Sequence, residues 1–299
     1  MPRPESIRKG PPAPPLLQRI RLRAQRLLDE HRLLRDKRRY RRGMPTVDAP
    51  LVAFVVGCQR SGTNMLNRTL DRSLEVDRFD EDDPRAFDLC RVKGREVRDA
   101  LVNASDARCV LFKPICDSHR LLELFDEHPG SKAIWIYRHY LGVAKSAVEY
   151  WGDTTKRYIE DLLAGGGDWG AYQWNSEGVS AATLETIREA AAGGISDYDA
   201  CVLFWYLRNQ TYFDQQLPDN PRVMLVKYEE MVTQPQREFA RACAFLGVRF
   251  AAASVSRIHT GSVARGGKIE ITPRVIHLAD EMMSRLDAAL ARQCSGAAE

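Results

Sequence analysis

LVAFVVGCQRSGTNMLNRTL, residues 51–70, is the stretch from which the fold can be read. Its first six residues form a continuous apolar, largely β-branched run, which suits a strand buried on both faces of a parallel sheet. A glycine-containing turn follows, then a helix over about 63–73. Gly57 and Gly62 bracket four residues. This is the G-x4-G spacing of a phosphate loop, in which backbone N–H groups and a helix N-terminus hold phosphate oxygens. In a nucleoside triphosphatase the next two residues are Lys and Ser or Thr; here they are Thr63 and Asn64. The lysine that reaches β- and γ-phosphates is missing, and so is the usual Mg²⁺ hydroxyl. A cation stands inside the loop instead, at Arg60. Such a loop suits a short anionic tail better than a metal-held triphosphate. A plain glycine turn is the simplest competing reading, and the strand–loop–helix setting of Arg-Ser-Gly-Thr argues against it.

Working outward, CVLFKP (109–114), KAIWIY (132–137) and RVMLVKY (222–228) read as further strands. LLELFDEHP reads as a helix stopped by Pro129, and a helix is predicted from about Val143 to Trp151. QPQREFARACAFLG reads as another, with Gly247 where a C-cap belongs. Thr272-Pro273 opens a last helix to about Arg292, with Thr272 as N-cap and Pro273 at the first helical position. Strands alternating with helices predict an α/β protein: a three-layer, P-loop-like fold with a central, mainly parallel sheet and helices on both faces. The domain is expected over 48–299, with a helical insertion at about 153–217. Aromatics in that insertion, near Trp205, are expected to be packing. GGGDWGAYQW (165–174), with Trp169, Tyr172 and Trp174, is the better candidate for a mobile ligand-facing loop, because glycines permit hinge motion.

A second cluster sharpens the phosphate reading. Arg138 ends the KAIWIY strand, where open α/β sheets bind ligands, and Ser146 lies eight residues on. Arg and Ser together can grip a further phosphate through charge-assisted bonds.

These residues resemble the sulfotransferases that use 3′-phosphoadenosine 5′-phosphosulfate, more the bacterial branch than the animal cytosolic enzymes. In that family a [K/R]-S-G-T loop binds the 5′-phosphosulfate, matched here by Arg60, Ser61, Gly62 and Thr63, with Asn64 beside them. An Arg followed eight residues later by a Ser binds the 3′-phosphate, matched by Arg138 and Ser146. A late strand ending in Y-E-[D/E], before a helix ending in F-[L/V]-G, is matched by KYEEMVTQPQREFARACAFLGV, with Tyr228 where the family places a residue near the adenine. SVARGGK, holding Arg265, Gly266, Gly267 and Lys268, resembles the loop that closes on the 3′-phosphate, although its spacing differs. The resemblance covers about 50–270. It implies a sulfuryl donor, adenosine 3′,5′-bisphosphate as product, and no metal.

Sulfuryl transfer spreads negative charge over the sulfuryl oxygens and the departing phosphate, so cations and N–H donors positioned there supply most of the catalysis. Arg60 is placed for this, and Lys113 matches a family lysine near the same bridging region. The acceptor hydroxyl needs a base. Animal cytosolic members use a His two residues after that lysine; here the position is Ile115. Another branch uses a Glu after the first helix. FDEDDPRAF (79–87) falls there, and Glu81 is the choice, with Asp80, Asp82 and Asp83 as competitors. Asp117 and His119 are the other base candidates. The acceptor is expected to be a small molecule, carbohydrate or lipid bearing a hydroxyl, phenol or amine.

Composition bounds the rest. The chain has 299 residues, enough for one large domain or two small ones, and its 44% hydrophobic and 28% charged content argues against wholesale disorder. No apolar run approaches the roughly 18 residues of a spanning helix. Met-Pro-Arg-Pro opens no apolar leader, and seven cysteines are too few for a disulfide scaffold, so the expected compartment is the cytoplasm. The net charge of +4 hides an asymmetry: residues 1–50 hold 14 Lys/Arg against 5 Asp/Glu, and the remainder 30 against 35. Residues 1–47 therefore form a basic arm. Within it, 16–42 has helical periodicity through Leu16, Leu17, Ile20, Leu27, Leu28, Leu33 and Leu34. This helix either contacts a membrane surface, or lays its leucines on the domain or on a second copy; the last pair is the simpler expectation, and no nucleic acid is expected. Two other functions stay open at this stage. One is a P-loop-type kinase or nucleotide hydrolase, which would require Mg²⁺. The other is a non-catalytic protein that docks through its arm.

Overall fold

β1 (Leu51–Gly57) is the middle strand of a five-stranded sheet whose order is β2-β5-β1-β6-β7, with every pairing parallel. Its partners are β5 (Cys109–Phe112) and β6 (Lys132–Tyr137); β2 (Val76–Phe79) and β7 (Val223–Lys227) are the edges. The computed structural model describes residues 16–45, 49–166, 174–258 and 269–296. The apolar runs become strands because both sheet faces are covered. Val52, Phe54 and Val56 point to one face; Ala53 and Val55 point to the other. Alternation is thus present in geometry though not in polarity.

Helices cover each face. α2 (Thr63–Leu70), α9 (Tyr228–Thr233) and α10 (Pro235–Leu246) close one side through Leu66, Leu70, Met231 and Phe239. The other side carries α3 (Arg95–Asn103), α4 (Leu121–Glu127), α5 (Tyr140–Trp151), α6 (Thr154–Leu163), α7 (Ala181–Ala190), α8 (Asp197–Asp214) and α11 (Pro273–Gly296). This is the expected three-layer α/β/α arrangement. α6, α7 and α8 occupy the insertion read at 153–217. α8 is buried nearly all round, so its aromatics are packing, as expected; Trp205 lies wholly inside.

Local chemistry sets the ends of the elements. Ser196 and Asp199 form a reciprocal capping box on α8. Gly247 ends α10 with φ +66°, the left-handed cap that glycine adopts without strain. Thr272 precedes Pro273, the first residue of α11, as expected, and its carbonyl accepts from the Ile276 N–H at 3.0 Å; its hydroxyl, however, donates to Asp199 at 3.0 Å and ties the start of α11 to α8. β2 and the short hairpin of β3 (Phe87–Asp88) and β4 (Arg91–Val92) were not read from sequence.

α1 (Leu16–Arg41) meets the domain by its last turns. Lys37 pairs with Asp71 at 2.6 Å, Tyr40 donates to Glu75 at 2.9 Å, and Arg41 bonds the Leu74 carbonyl and Asp77. The expectation that the leucine stripe lies on the domain does not hold. Ile20, Leu27, Leu28 and Leu34 are 52–58% exposed, because the docked face is the polar one. Among the described residues no helix is long and apolar enough to cross a membrane.

Candidate active site

The carboxyl ends of β1, β2, β5, β6 and β7 bring the candidate residues together. β1 runs straight into the loop 57–62. Gly57 has φ +132°, and a Cβ there would lie 2.3 Å from the Ile136 carbonyl oxygen of the neighbouring strand. Gly62 has φ +96°, and its Cβ would lie 2.3 Å from the Tyr228 ring. Both positions therefore require glycine, for backbone conformation and for space. Ser118 fastens the loop's start: its hydroxyl accepts from the Gly57 N–H at 3.2 Å and donates to the Ile115 carbonyl at 2.9 Å. Ser61 is fully buried, and its hydroxyl has no hydrogen-bond partner among the described residues. Thr63 is buried at the first position of α2, whose N-terminus faces the same space.

Arg60 takes a left-handed conformation, φ +66°, which turns its side chain out of the loop toward α5. Its Nε and Nη2 both donate to the Ser146 hydroxyl at 3.0 Å, and its guanidinium lies 4.6 Å from the Tyr150 ring centre. Burial pushes its pKa below the usual arginine range. Arg138 follows β6, donates to the Arg60 carbonyl at 3.4 Å and stacks 4.4 Å from the centre of the Tyr228 ring. Its own carbonyl accepts from the Trp205 indole at 2.9 Å. A Cβ at Gly142 would lie 2.7 Å from the Arg138 Nε, so that glycine makes room for the guanidinium. Arg60, Arg138, Ser146 and Tyr228, from four separate segments, thus form one cluster beside Gly62.

A second cluster lies at the ends of β2 and β5. Lys113 is fully buried; its ammonium donates to the Asn64 side chain, pairs with Glu81, and lies 3.6 Å from Asp80. Burial first, and the nearby Arg68, push the Lys113 pKa down to about 7. The acidic run 80–83 separates into roles. Asp80 accepts from Asn67 at 2.6 Å and pairs with Arg78. Asp83 caps the following turn and pairs with Arg85, which lowers its pKa. Asp82 is exposed. Glu81 is the carboxylate whose ion pair is with Lys113.

Asp117 and His119 are brought into a different constellation. Asp117 accepts from the Val92 N–H at 2.8 Å and pairs with Arg91 at 2.6 Å, while burial raises its pKa. His119 bonds Glu177 at 3.0 Å, and Glu177 also pairs with Arg91. Burial and then Arg208 push His119 down to about 4, so its ring is neutral. These four side chains clamp the β3–β4 hairpin and the segment around Glu177 onto the turn that follows Lys113. Arg208, fully buried on α8, supports the same turn by donating to the Ile115 carbonyl at 2.9 Å.

Sequence reasoning did not find Arg208, Asn67, Ser118 or Tyr150. Tyr150 alone carried a local signal, four residues after Ser146 on one helix face. Arg265, Gly266, Gly267 and Lys268 lie outside the described residues, as do Trp169 and Tyr172. Trp174 is buried against Arg208, 5.3 Å from its guanidinium.

The sulfotransferase-domain family profile matches residues 52–265, which span both clusters. The chain belongs to the sulfotransferase family. Solved structures similar to this sulfotransferase include a sulfotransferase domain from the curacin biosynthetic pathway, 14% identical, covering 78% of this chain and 98% of that one (TM-score 0.47). Another is a sulfotransferase from Alicyclobacillus acidocaldarius, 15% identical, covering 83% and 96% (TM-score 0.45). A third is a mouse sulfotransferase complexed with PAP, 14% identical, covering 78% and 73% (TM-score 0.40). No curated protein matches the chain.

Proposed function

We propose that this sulfotransferase moves a sulfuryl group from 3′-phosphoadenosine 5′-phosphosulfate to a hydroxyl or amine of a small-molecule, carbohydrate or lipid acceptor. The observation that carries this reading is the meeting of Lys113, Glu81 and Asn64 beside a phosphate loop that lacks the triphosphatase lysine.

The residues fit such a donor. The buried Ser61 hydroxyl, the amides of 61–63 and the α2 N-terminus would take the 5′ end. Arg138, Ser146 and the Arg60 guanidinium would take the 3′-phosphate, and Tyr228 would line the adenine side. Arg60 has its main chain in the loop and its side chain on Ser146, so it spans both ends. The donor supplies an activated sulfuryl group whose bond to the 5′-phosphate breaks as the acceptor bond to sulfur forms. Glu81 accepts the acceptor's proton, and Lys113 offsets the negative charge that develops on the bridging and sulfuryl oxygens. Adenosine 3′,5′-bisphosphate leaves.

Calorimetry with adenosine 3′,5′-bisphosphate, 5′-AMP, and ATP plus Mg²⁺ tests the reading. Micromolar binding of the bisphosphate, lost in Arg138→Ala, supports it. Preference for ATP with Mg²⁺ overturns it.

A further inference from the structure

α1 has two faces of different character. Asp29, Leu33, Lys37 and Tyr40, spaced by four, four and three, lie on one side, and it is this side that meets the domain. Asp29 pairs with Arg257 at 3.0 Å; Lys37 and Tyr40 hold Asp71 and Glu75. Ile20, Leu27 and Leu34 recur every seven residues away from that side, with Leu28 adjoining, and all four are exposed; only the next position of the series, Arg41 at the helix end, turns onto the domain, at Leu74 and Asp77. Arg21, Arg23, Arg35, Arg38 and Arg39 flank that stripe and are exposed as well. Over the whole helix, ten basic residues stand against Asp29, Glu30 and Asp36, a net charge of +7. Asp29 and Asp36 fall on the side away from the stripe, Asp36 lying 3.7 Å from Arg35; Glu30 is exposed and borders the stripe between Leu27 and Leu34.

We propose that α1 docks this protein on an anionic lipid bilayer, its Ile20–Leu34 stripe entering the acyl boundary and its arginines meeting the headgroups. An apolar centre flanked by arginines matches a bilayer interface, where both kinds of side chain find their solvent within one helix width. A second α1 is a poorer fit, because two helices of charge +7 laid stripe to stripe bring their arginines together. Position in the fold agrees. The docked end grips Leu74, Glu75 and Asp77, at the start of β2, whereas the phosphate loop lies at the opposite end of the sheet. Bilayer contact therefore leaves the cleft uncovered, and it does not depend on the reading of that cleft.

The test is co-sedimentation of the full chain with sucrose-loaded vesicles. One set is phosphatidylcholine alone, and the other contains phosphatidylglycerol. The expected result is partition onto the anionic vesicles only, weakened with salt. Leu27→Gln/Leu34→Gln and Arg35→Gln/Arg39→Gln should each reduce it at least ten-fold; these side chains are exposed, so the fold survives. Arg60→Ala should bind vesicles as the parent does. No binding to anionic vesicles at low salt overturns the proposal. So does a concentration-dependent dimer that Leu27→Gln/Leu34→Gln abolishes while vesicle binding is absent. Undiminished binding of Leu27→Gln/Leu34→Gln overturns the insertion of the stripe.

Discussion

Lys113 and Glu81 meet because two strands are in register. Phe79 of β2 pairs with Phe112 of β5, and the Lys113 N–H donates to the Phe79 carbonyl at 3.0 Å. The residues just beyond each strand therefore emerge side by side. Asp80 is drawn off by Arg78 and Asn67, which leaves Glu81 to the ammonium. Glu81→Gln keeps the shape and removes the proposed base. It should lower single-turnover sulfuryl transfer by about 10²–10⁴-fold, the range for losing a general base. Affinity for adenosine 3′,5′-bisphosphate, measured by calorimetry, should change little. Full activity in Glu81→Gln would remove this carboxylate from the mechanism.

Lys113 sets a pH dependence. In the proposed mechanism its cationic form offsets charge in the transition state, and burial has brought its pKa to about 7. Lowering a lysine pKa shrinks the cationic fraction as pH rises, so turnover should fall above pH 7. Well above that value the loss should approach about ten-fold per pH unit. Lys113→Arg keeps a charge that does not titrate in this range. Its rate should be lower throughout, but the alkaline limb should vanish from the profile. A limb that persists in Lys113→Arg belongs to another group.

Arg138 is expected to act on binding, with specificity for the 3′-phosphate. Arg138→Ala should weaken adenosine 3′,5′-bisphosphate by about 10–100-fold, equivalent to the roughly 1.5–3 kcal/mol of a hydrogen bond to a charged group. The affinity for 5′-AMP should move far less. Gly142→Ala provides an independent check, because its methyl would press on the Arg138 Nε. Calorimetry should give the same pattern for both variants, and an equal loss for both nucleotides would place Arg138 elsewhere.

What was legible in the sequence follows from how locally each feature is encoded. LVAFVVG and KAIWIY read as strands because burial on both faces makes them uniformly apolar. VDRF escaped because its middle residues are charged, and Asp77 is satisfied by Arg41 and Ser105, far away in sequence. The phosphate loop was legible because its residues are consecutive, and Arg138 with Ser146 because they are eight apart. That Glu81 would reach Lys113 depended on β2, which was not read, so the choice came from family resemblance alone. Arg208, Asn67 and Trp205 reach the site only through packing of α8 and α2 on the strand ends. No spacing along the chain records that. The leucines of α1 show the opposite failure: their periodicity was read correctly, but the domain is held by Lys37 and Tyr40 on the other face and by Arg41, seven residues beyond Leu34 at the helix end.

Gly62 joins stability to binding, and both should fail together when it is replaced. Its φ of +96° is costly for any residue with a Cβ, and that atom would also enter the Tyr228 ring at 2.3 Å. Gly62→Ala should therefore destabilise the fold by at least about 2 kcal/mol, from backbone strain of roughly 1–3 kcal/mol plus the clash. The unfolding midpoint should fall accordingly, by roughly 2–4 °C per kcal/mol or less in a chain of this size. Tyr228→Leu in the same chain relieves the clash but not the strain, so Gly62→Ala/Tyr228→Leu should recover only part of the midpoint. Binding of the bisphosphate should not recover, because Arg138 then loses the ring it stacks on. Thermal unfolding and calorimetry on the two variants separate these contributions. An unchanged midpoint in Gly62→Ala would mean that the loop does not hold the conformation described.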